Sequence, residues 1–530
     1  MTSQASIRPY LNQAYLLGLL MVAVGLTLSP FLMGMSQFWL ILVWLVDAFT
    51  PPFKGVGGIK HKLSRFWQNK AAFLLVAFYL MHVVGLLWTS DFQYALRDLR
   101  VKLPILVMPF VLSSMEPLDR KRFDFVMLVY VLAVFIATLF SSVTYWRHDY
   151  EDIREISHFI SHIRFCLNIV FSMAVVGWYL FVRKSPWWGK AMQVGVLLWF
   201  AYQIFIFESL SGYVILAAVV LLSVVYAFLQ WKKSRGWHIA VGTIALAVFV
   251  VGIAVVAHFV KPLLKVEPVD FSTLEKKTAQ GNYYWHDTVC YPVEDGKYVG
   301  LYFNRNELHE AWSLRSDLPM EGTTTNGEDL EMTLARYLTS KDLRKDAEGV
   351  MALTDEDIHN IEQGVANYNN WKHPGLHARL SSTLFEYNLY RRFNNPNGGS
   401  LSQRIEFTRA SFHIIGRHSW FGVGTGDVPQ TFAQTYDEIH SPLKEEFRFR
   451  AHNQYLAIAV AFGLVGLAFF LFVLLYPWFS SKRNHYYLYM VFLCIMLLSM
   501  FSEDTLETQA GVMLFAFFEA LLLFAKPKSE

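Results

Sequence analysis

The sequence predicts an all-α polytopic membrane protein of about twelve transmembrane helices, with one large, mainly helical loop domain between spans 9 and 10. Of the 530 residues, 54% are hydrophobic and 17% are charged. Soluble domains carry roughly a quarter charged residues, so the composition is typical of membrane proteins. Long apolar runs recur at both ends of the chain, and a single polar segment of domain size separates them.

Twelve apolar runs are the candidate spans, because a membrane helix needs about 20 mostly apolar residues. The run 101–115 is short and contains Pro104 and Pro109. It fits a kinked or re-entrant helix that is buried in protein. The first run follows MTSQASIRPYLNQ without a small-residue cleavage signature, so we expect a retained helix. The runs are 12–29, 32–49, 71–89, 101–115, 123–142, 162–182, 190–207, 211–230, 238–260, 452–477, 486–501 and 510–525.

Lysine and arginine are concentrated in alternate loops, which indicates the orientation of the helices. Cytoplasmic loops are enriched in these two residues. The other set of loops is poorer in positive charge, and the segment SEDTLET at 502–508 is acidic. Both termini are therefore predicted to be cytoplasmic. The enriched positions are Lys54, Lys60, Lys62, Arg65, Lys70, Arg120, Lys121, Arg122, Arg183, Lys184, Lys190, Lys232, Lys233, Arg235, Lys482, Arg483, Lys526 and Lys528.

Three regions follow from this topology: a membrane domain at 1–260 with spans 1–9, a loop domain at 261–450, and spans 10–12 at 451–530. At about 190 residues the loop is the size of a domain, and the orientation places it outside the cytoplasm.

Within the loop domain, the spacing of Leu330, Leu334 and Tyr337 predicts a helix. Thr354 is a plausible helix cap, and a further helix is expected from about 401 to 416. Two short strands are expected near 283–285 and 298–303.

Charged side chains on the outer side are candidates for function, because charge near a bilayer is costly. Arginines suit a phosphorylated ligand, since a guanidinium binds phosphate oxygens in pairs and keeps its charge. Surface solvation, snorkelling or a place at the membrane boundary are alternative explanations for individual members. The candidates are Arg97, Arg100, Lys102, His162, Arg164, Glu208, Arg404, Arg409, Arg450 and His452.

His452 begins a span beside Asn453, and its imidazole can exchange a proton near neutral pH. The turn FGVGTGD at 421–427 lacks the Lys-Ser/Thr of a nucleotide-binding loop. We expect a tight turn whose amide groups face an anion. No residue spacing resembles a metal site, and no nucleic-acid partner is expected. The three cysteines define no disulfide framework.

These motifs, in this order, resemble the shared signature of the O-antigen ligase and polymerase superfamily of bacterial envelope proteins. The signature has an Arg-led helix, a glycine turn and a His-Asn pair that opens a span. About 65 residues carry the resemblance, and the topology extends it to most of the chain. The matching residues are Arg404 with Ala410, the stretch HSWFGVGTGD, His452-Asn453-Gln454-Tyr455-Leu456, and Gly463 to Gly466.

The resemblance implies a metal-independent, inverting glycosyltransferase without a cofactor, in the bacterial inner membrane, with a periplasmic active site. It implies an undecaprenyl-pyrophosphate-linked glycan as donor, a lipid A-core or another glycan as acceptor, and contact with membrane lipids. Arg404 would bind the pyrophosphate, and His452 would be the catalytic base. The supporting residues would be Asn453, Arg409, Arg450, Gly422, Gly424 and Gly426.

The sequence departs from the superfamily pattern where relatives carry an arginine at the start of the eighth span. Here the stretch reads Glu208-Ser209-Leu210-Ser211-Gly212. A second phosphate-binding cation must therefore come from elsewhere, and the candidates are Arg164, Arg97 and Arg100. A polymerase of the same superfamily remains an alternative function, and so does a bicarbonate-type transporter. A transporter is expected to hold its polar groups at mid-membrane in broken helices.

Overall fold

The computed structural model describes residues 4–50, 58–147, 153–231, 234–266, 268–373, 375–480 and 487–525. Helices dominate these residues. The regular sheet in this part of the chain is one antiparallel pair of short strands, β1 (Val293–Glu294) and β2 (Lys297–Tyr298). The predicted helical fold class is therefore confirmed.

Ten helices precede β1, and most are long. They are α1 (Gln4–Leu28), α2 (Pro30–Phe49), α3 (Ile59–Gln68), α4 (Lys70–Val84), α5 (Phe92–Ser114), α6 (Arg120–Arg147), α7 (His162–Val182), α8 (Trp187–Ile206), α9 (Leu210–Trp231) and α10 (Arg235–Leu264).

Eleven helices follow β2. They are α11 (Arg305–Ser313), α12 (Leu330–Ser340), α13 (Ala347–Met351), α14 (Asp355–Glu362), α15 (Tyr368–Lys372), α16 (Leu376–Phe393), α17 (Ser400–Arg417), α18 (Val428–Glu438), α19 (Gln454–Ser480), α20 (Tyr487–Ser502) and α21 (Gln509–Ala520). A π-helical turn, Leu521–Ala525, extends α21.

Nine helices of the described chain are long and apolar enough to cross a membrane, which makes the protein a multi-pass membrane protein. They are α1, α2, α4, α6, α7, α8, α9, α10 and α19. The three other predicted spans also form helices. Those in α20 and α21 are shorter apolar helices, and the one in α5 is the end of a helix that begins with charged residues. The number of twelve spans remains a prediction.

The fourth predicted span is the apolar half of α5, which begins well before residue 101. The Asp91 side chain caps the helix by accepting a hydrogen bond from the Tyr94 amide at 2.9 Å. Pro104 and Pro109 lie inside the helix. The charged residues that the sequence assigns to a loop therefore lie on a helix, where their spacing decides which of them face the protein interior.

The described chain divides into two compact units. The first contains Met1–Val241, Phe407–Ser441 and Arg448–Glu530, and the second contains Gly242–Glu406 with Pro442–Phe447. The helices α10 and α17 each contribute residues to both units. The domain limits predicted from the sequence, 260/261 and 450/451, remain predictions.

The second unit has its own apolar core, and two helices predicted in it are confirmed. Leu330, Leu334 and Tyr337 of α12 are fully buried. At the start of α14, Thr354 forms a capping box with Asp357, as the sequence predicts for a capped start.

Two other predictions for the loop region have different outcomes. The helix expected at 401–416 is confirmed as α17. The two strands expected at 283–285 and 298–303 are wrong as regular strands. Trp285 and Phe303 form a single antiparallel bridge, and the regular pair β1–β2 lies between them in the sequence.

Some of the lysines and arginines that predict the orientation of the helices form ion pairs inside the first unit. The Lys62 ammonium is 2% exposed and lies 2.6 Å from the Asp47 carboxylate. Arg65 pairs with Glu116. The predicted orientation stays a prediction. Several loop residues that support it lie outside the described residues, namely Lys54, Lys232, Lys233, Lys482, Arg483, Lys526 and Lys528.

The helix α19 is broken at Gly463, where the sequence predicts an uninterrupted span. Gly463 has φ 66° and ψ −168°, which is not a helical conformation. The break removes the helical partners of nearby backbone groups, and such groups are costly inside a membrane unless other parts of the protein bind them. On the C-terminal side, the amides of Leu464 and Val465 donate to the carbonyls of Ser419 (2.7 Å) and Trp420 (3.3 Å).

The glycine turn at 421–427 binds the free carbonyl groups on the N-terminal side of the break. The amide of Val423 donates to the Val460 carbonyl at 3.0 Å, and the amide of Gly424 donates to the Ala461 carbonyl at 2.9 Å. Hydrogen bonds therefore join the glycine turn directly to the break in α19. The close approach of the turn to α19 requires glycine, because a Cβ on Gly422 would lie 2.4 Å from the Phe462 nitrogen.

We expect Gly463→Ala to lower the thermal unfolding midpoint of the purified protein. The backbone conformation of Gly463 is essentially confined to glycine and costs about 1–3 kcal/mol for a residue with a Cβ. The new Cβ would also meet the Trp420 carbonyl carbon at 2.3 Å. The control is Gly177→Ala in α7, where nothing lies within 4 Å of the added Cβ. An equal unfolding midpoint for the two variants in detergent would contradict the packing of the glycine turn against the break at Gly463.

Candidate active site

One end of the first unit brings together residues that are far apart in the sequence. The Arg450 guanidinium, just before α19, donates to the Tyr94 hydroxyl of α5 at 2.9 Å. The Ser211 hydroxyl of α9 donates to the Ser502 hydroxyl at the end of α20 at 3.2 Å. The starts of α5, α9 and α19 and the turn between α20 and α21 therefore form one polar cluster, which also contains His452.

The His452 side chain is 33% exposed and faces an acidic residue. Its Nδ1 lies 3.8 Å from Asp504 Oδ1. The Phe407 ring stacks on the imidazole at 5.4 Å, and the Phe449 ring meets it edge-on at 6.1 Å. His452 also has φ 43°, a left-handed conformation that is uncommon for residues other than glycine and is frequent at functional sites. The imidazole is thus fixed by its surroundings while one side remains open.

The two residues after His452 have structural roles. The Asn453 side chain accepts a hydrogen bond from the Leu456 amide at 3.0 Å, which caps α19, and it donates to the Phe501 carbonyl at 2.9 Å. The Gln454 side chain accepts from the Leu506 amide at 2.6 Å. Both residues tie the start of α19 to the turn after α20, so they support His452 by position.

Two arginines flank the acidic pair beside His452. Arg164, at the start of α7, lies 3.8 Å from both the Glu503 and the Asp504 carboxylate. Arg450 lies 3.4 Å from the other oxygen of Asp504. The Arg164 side chain is 12% exposed. Of the predicted second cations, Arg164 is therefore the one that the structure brings to the residues around His452.

Glu507 is the centre of a buried charge network. Its carboxylate accepts from the Lys102 ammonium at 2.8 Å, from Arg450 at 3.1 Å and from Gln454 at 3.2 Å. Lys102 also donates to Asp98 at 2.5 Å. Burial opposes ionisation of Glu507, but the charges of Lys102 and Arg450 outweigh it and keep the pKa of Glu507 well below its usual range. The network thus holds Arg450 beside Asp504.

The spacing of charges along α5 separates two roles. Tyr94, Asp98 and Lys102 recur every four residues and face the network. Arg97 and Arg100 lie on another face and are exposed. Within the described residues neither has an ion pair or a hydrogen bond, and neither contacts the group around His452.

Arg404 and Arg409 both lie on α17 but in different surroundings. Arg404 is half-buried and belongs to the second unit, whereas Arg409 is exposed and belongs to the first. Phe407 of the same helix belongs to the first unit, and its ring stacks on His452.

The sequence predicts that the glycine turn presents its amides to an anion. This prediction is wrong for Gly422, Gly424 and Gly426, because their amides donate hydrogen bonds within the protein. The amide of Gly422 donates to the His418 carbonyl at 3.0 Å, and the amide of Gly426 donates to the Thr89 hydroxyl at 3.1 Å. The Asp427 carboxylate, which ends the turn, accepts from the Ser90 amide at 2.9 Å. With Gly424 also bonded to α19, the glycines support the site by close packing.

One group of residues in the described chain has the donor atoms for a metal ion. His452, Glu503 and Asp504 each offer one donor atom, and these atoms lie within 4.8 Å of one another. The guanidinium groups of Arg164 and Arg450 already lie beside the same carboxylates. They would repel a cation, so the donor set fits an imidazole stabilised by acids better than a metal centre.

The sequence analysis did not identify Asp504, Glu503 and Glu507 as site residues, although it noted that SEDTLET is acidic. Glu503 and Asp504 are about 5% exposed or less, and acids this deeply buried need partners. The signal in the sequence was an acidic loop predicted on the same side of the membrane as Arg450 and His452.

The comparison with known families agrees with the motif order. Residues 376–471 match the family model described as O-antigen ligase. No curated protein matches the chain. The matched segment contains α17, the glycine turn, His452 and the break in α19. The resemblance of the sequence to the O-antigen ligase superfamily is therefore confirmed over these residues, and the match points to a membrane enzyme of the glycosyltransferase type.

Proposed function

We propose that the protein is an O-antigen ligase-type transferase of the bacterial inner membrane. It moves a glycan from an undecaprenyl-pyrophosphate carrier to a hydroxyl of the lipid A-core on the periplasmic face. The observation that carries this proposal is His452, which lies within the matched segment and is open on one side. Its other side faces Asp504, and two arginines flank that acid.

The geometry suits His452 as the general base. Its Nδ1 faces Asp504, so Nε2 is the nitrogen available to accept the acceptor hydroxyl proton. At 3.8 Å the Asp504 carboxylate is too far for a hydrogen bond, but it stabilises the imidazolium that forms. General-base help of this kind contributes roughly 10²–10⁴-fold to a rate. The proton later leaves His452 to water.

The transfer step is a single displacement. The acceptor oxygen forms a bond to the anomeric carbon while the bond from that carbon to the phosphate oxygen breaks, and the pyrophosphate leaves with the electron pair. One displacement inverts the configuration at the sugar carbon. Fixed guanidinium groups stabilise the charge that develops on the leaving group. Arg404 is the proposed clamp of the pyrophosphate.

Arg164 is the proposed second cation. Superfamily relatives carry an arginine where this chain has Leu210, and the neighbouring Ser211 contacts Ser502, which directly precedes Glu503. Arg164 reaches the same acidic pair from α7. An arginine from a neighbouring helix thus takes the place of the one that is missing at Leu210. Arg97 and Arg100 remain candidates for contacts with a bound carrier, because they are exposed.

The proposed reaction needs neither a cofactor nor a metal ion. The leaving group is already activated as a pyrophosphate, and the arginines supply the positive charge that a metal would otherwise contribute.

The alternative within the superfamily is a polymerase, which extends repeat units on the carrier. It would use the same base and the same clamp with a different acceptor, so the site geometry supports both.

A transporter is the alternative from another class, and the broken helix α19 is the observation that favours it. Transporters use broken helices to coordinate substrates with freed carbonyls. Here the carbonyls of Val460 and Ala461 accept from the glycine turn. These groups are therefore used within the protein, which favours the enzyme.

Deletion of the gene separates the three functions through the lipopolysaccharide banding pattern. A ligase predicts loss of all long-chain forms and accumulation of carrier-linked glycan. A core that carries a single repeat unit would indicate a polymerase. Unchanged banding would contradict both enzymes and direct attention to transport.

We expect His452→Asn to slow transfer by roughly 10²–10⁴-fold, while the protein level stays unchanged. Asparagine tolerates the left-handed backbone, so the change removes the imidazole without adding strain. The matched control is His440→Asn, since His440 also has a positive φ, of 48°. The measurement is in vitro glycan attachment by purified variants. Normal attachment by His452→Asn would exclude this residue as the base.

Arg404→Lys should impair transfer because a point charge cannot replace a guanidinium fork on a pyrophosphate. The control is Arg391→Lys on α16, an exposed arginine of the same unit. The same attachment assay is run over a range of carrier-linked donor concentrations. Full activity of the Arg404 variant at every concentration would remove it from the clamp.

A further inference from the structure

The second unit exposes two aromatic side chains that are two residues apart in the sequence, outside the segment that matches the family. Tyr283 is 72% exposed and Trp285 is 53% exposed. Large aromatic side chains are usually buried, and exposed ones in a group indicate a surface that binds something.

These two rings lie on one face of an extended segment. Trp285 pairs with Phe303 in both directions, with N–O distances of 2.8 and 3.0 Å, and Tyr283 bridges Lys277. Side chains two residues apart on extended backbone point to the same side. Phe303 is 2% exposed and belongs to the core of the unit, so the segment is anchored to a packed interior.

A third aromatic residue supports the pair. The Tyr291 ring meets Trp285 edge-on at 5.7 Å and lies 5.3 Å from Phe303. The Lys277 ammonium lies 4.9 Å from the centre of the Tyr283 ring. These contacts restrict the rings before any ligand arrives, which lowers the entropic cost of binding.

A polar group lies beside the aromatic residues. Arg305 donates through Nε and a terminal nitrogen to one oxygen of Glu331, at 2.9 and 2.7 Å, and His309 contacts the same oxygen at 3.0 Å. Arg305 is 65% exposed, and the other Glu331 oxygen has no hydrogen bond within the described residues. Arg305 follows Phe303 by two residues, and the Phe303 backbone pairs with Trp285, so the polar group lies close to the aromatic residues.

We propose that this surface, formed by Tyr283, Trp285, Tyr291, Arg305 and Glu331, binds the glycan chain of the carrier-linked donor. The inference rests on the proposed function, from which the donor glycan follows. Aromatic faces pack against the C–H faces of sugar rings. Planar carboxylate and guanidinium groups bind pairs of neighbouring hydroxyls.

The charge of the surface favours an uncharged polyhydroxylated chain. Arg305 and Glu331 neutralise each other, so this pair offers donors and acceptors without a net charge. Lys277 leaves a single positive charge beside Tyr283, whereas a phosphorylated acceptor core or an anionic membrane would need a cluster of cations. The donor glycan is also the component whose length extends beyond the pyrophosphate clamp, so it needs a second place of contact.

The test uses the full chain in nanodiscs and measures affinity by titration calorimetry. The probes are polysaccharide released by mild acid from the lipopolysaccharide of the producing bacterium and, separately, its core oligosaccharide. Trp285→Ala should weaken polysaccharide binding about tenfold, which corresponds to about 1.4 kcal/mol. Glu331→Gln should weaken it too. The matched control Trp371→Ala, on α15, should leave the affinity unchanged, because that ring contacts Tyr368 instead.

The conservative variant Trp285→Phe keeps a ring in place and should bind with intermediate affinity, which excludes misfolding as the cause of a loss. Unchanged affinity in Trp285→Ala would overturn the proposal. Binding of the core oligosaccharide alone would overturn the assignment to the donor. Quenching of the Trp285 emission by brominated phospholipid, taken as the difference between wild type and Trp285→Phe, would show a membrane-facing surface and overturn it as well.

A transfer assay on the same preparations separates this proposal from the proposed function. If the wild type transfers glycan but Trp285→Ala binds like the wild type, only the surface is wrong. If polysaccharide binding depends on Trp285 and no transfer occurs, the surface stands and the transferase proposal fails. His452→Asn should bind polysaccharide like the wild type.

Discussion

The buried carboxylate of Glu507 is the interaction on which the arrangement of the candidate active site depends. It joins Lys102 of α5, Arg450 before α19 and Gln454 within α19. A charge taken out of water is costly unless opposite charges and hydrogen bonds compensate it, and loss of one member of a buried pair costs about 3–5 kcal/mol. The contacts of Glu507 with α5 and with the start of α19 therefore favour the arrangement that neutralises this carboxylate, and that arrangement places Arg450 next to Asp504.

The break in α19 is a second constraint, and it acts on the same helix. The glycine turn binds the backbone groups around Gly463, while Asn453 caps the helix start. The short first part of α19 is thus fixed at both ends. His452 lies directly before that part in a left-handed conformation, which costs of order 1–3 kcal/mol. Such strain persists only where the surroundings determine the position, and here the cap and the rings of Phe407 and Phe449 do so.

Local signals in the sequence predicted local structure well. Apolar runs located the long helices, and the spacing of Leu330, Leu334 and Tyr337 located α12. The start of α5 was missed because its charged first turns resemble a loop. The acids Asp504 and Glu507 were missed for a different reason. They lie about 50 residues after Arg450 and His452, and only the packing of α19 against the 503–508 turn brings these groups together.

The segment that matches the family contains the proposed reacting group and Arg450, whereas the other charges around that group come from elsewhere in the chain. His452 and Arg404 lie within residues 376–471, but Lys102, Arg164, Asp504 and Glu507 do not. In the proposed reaction, Arg164 of α7 takes the role of an arginine that this chain lacks at Leu210. The physical argument for this proposal is that a leaving pyrophosphate needs fixed positive charge, and the charge does not depend on which helix carries the guanidinium. The proposed site therefore depends on the balance of charge around the His452 imidazole, and in this chain residues of α5, α7 and the 503–508 turn supply most of that balance.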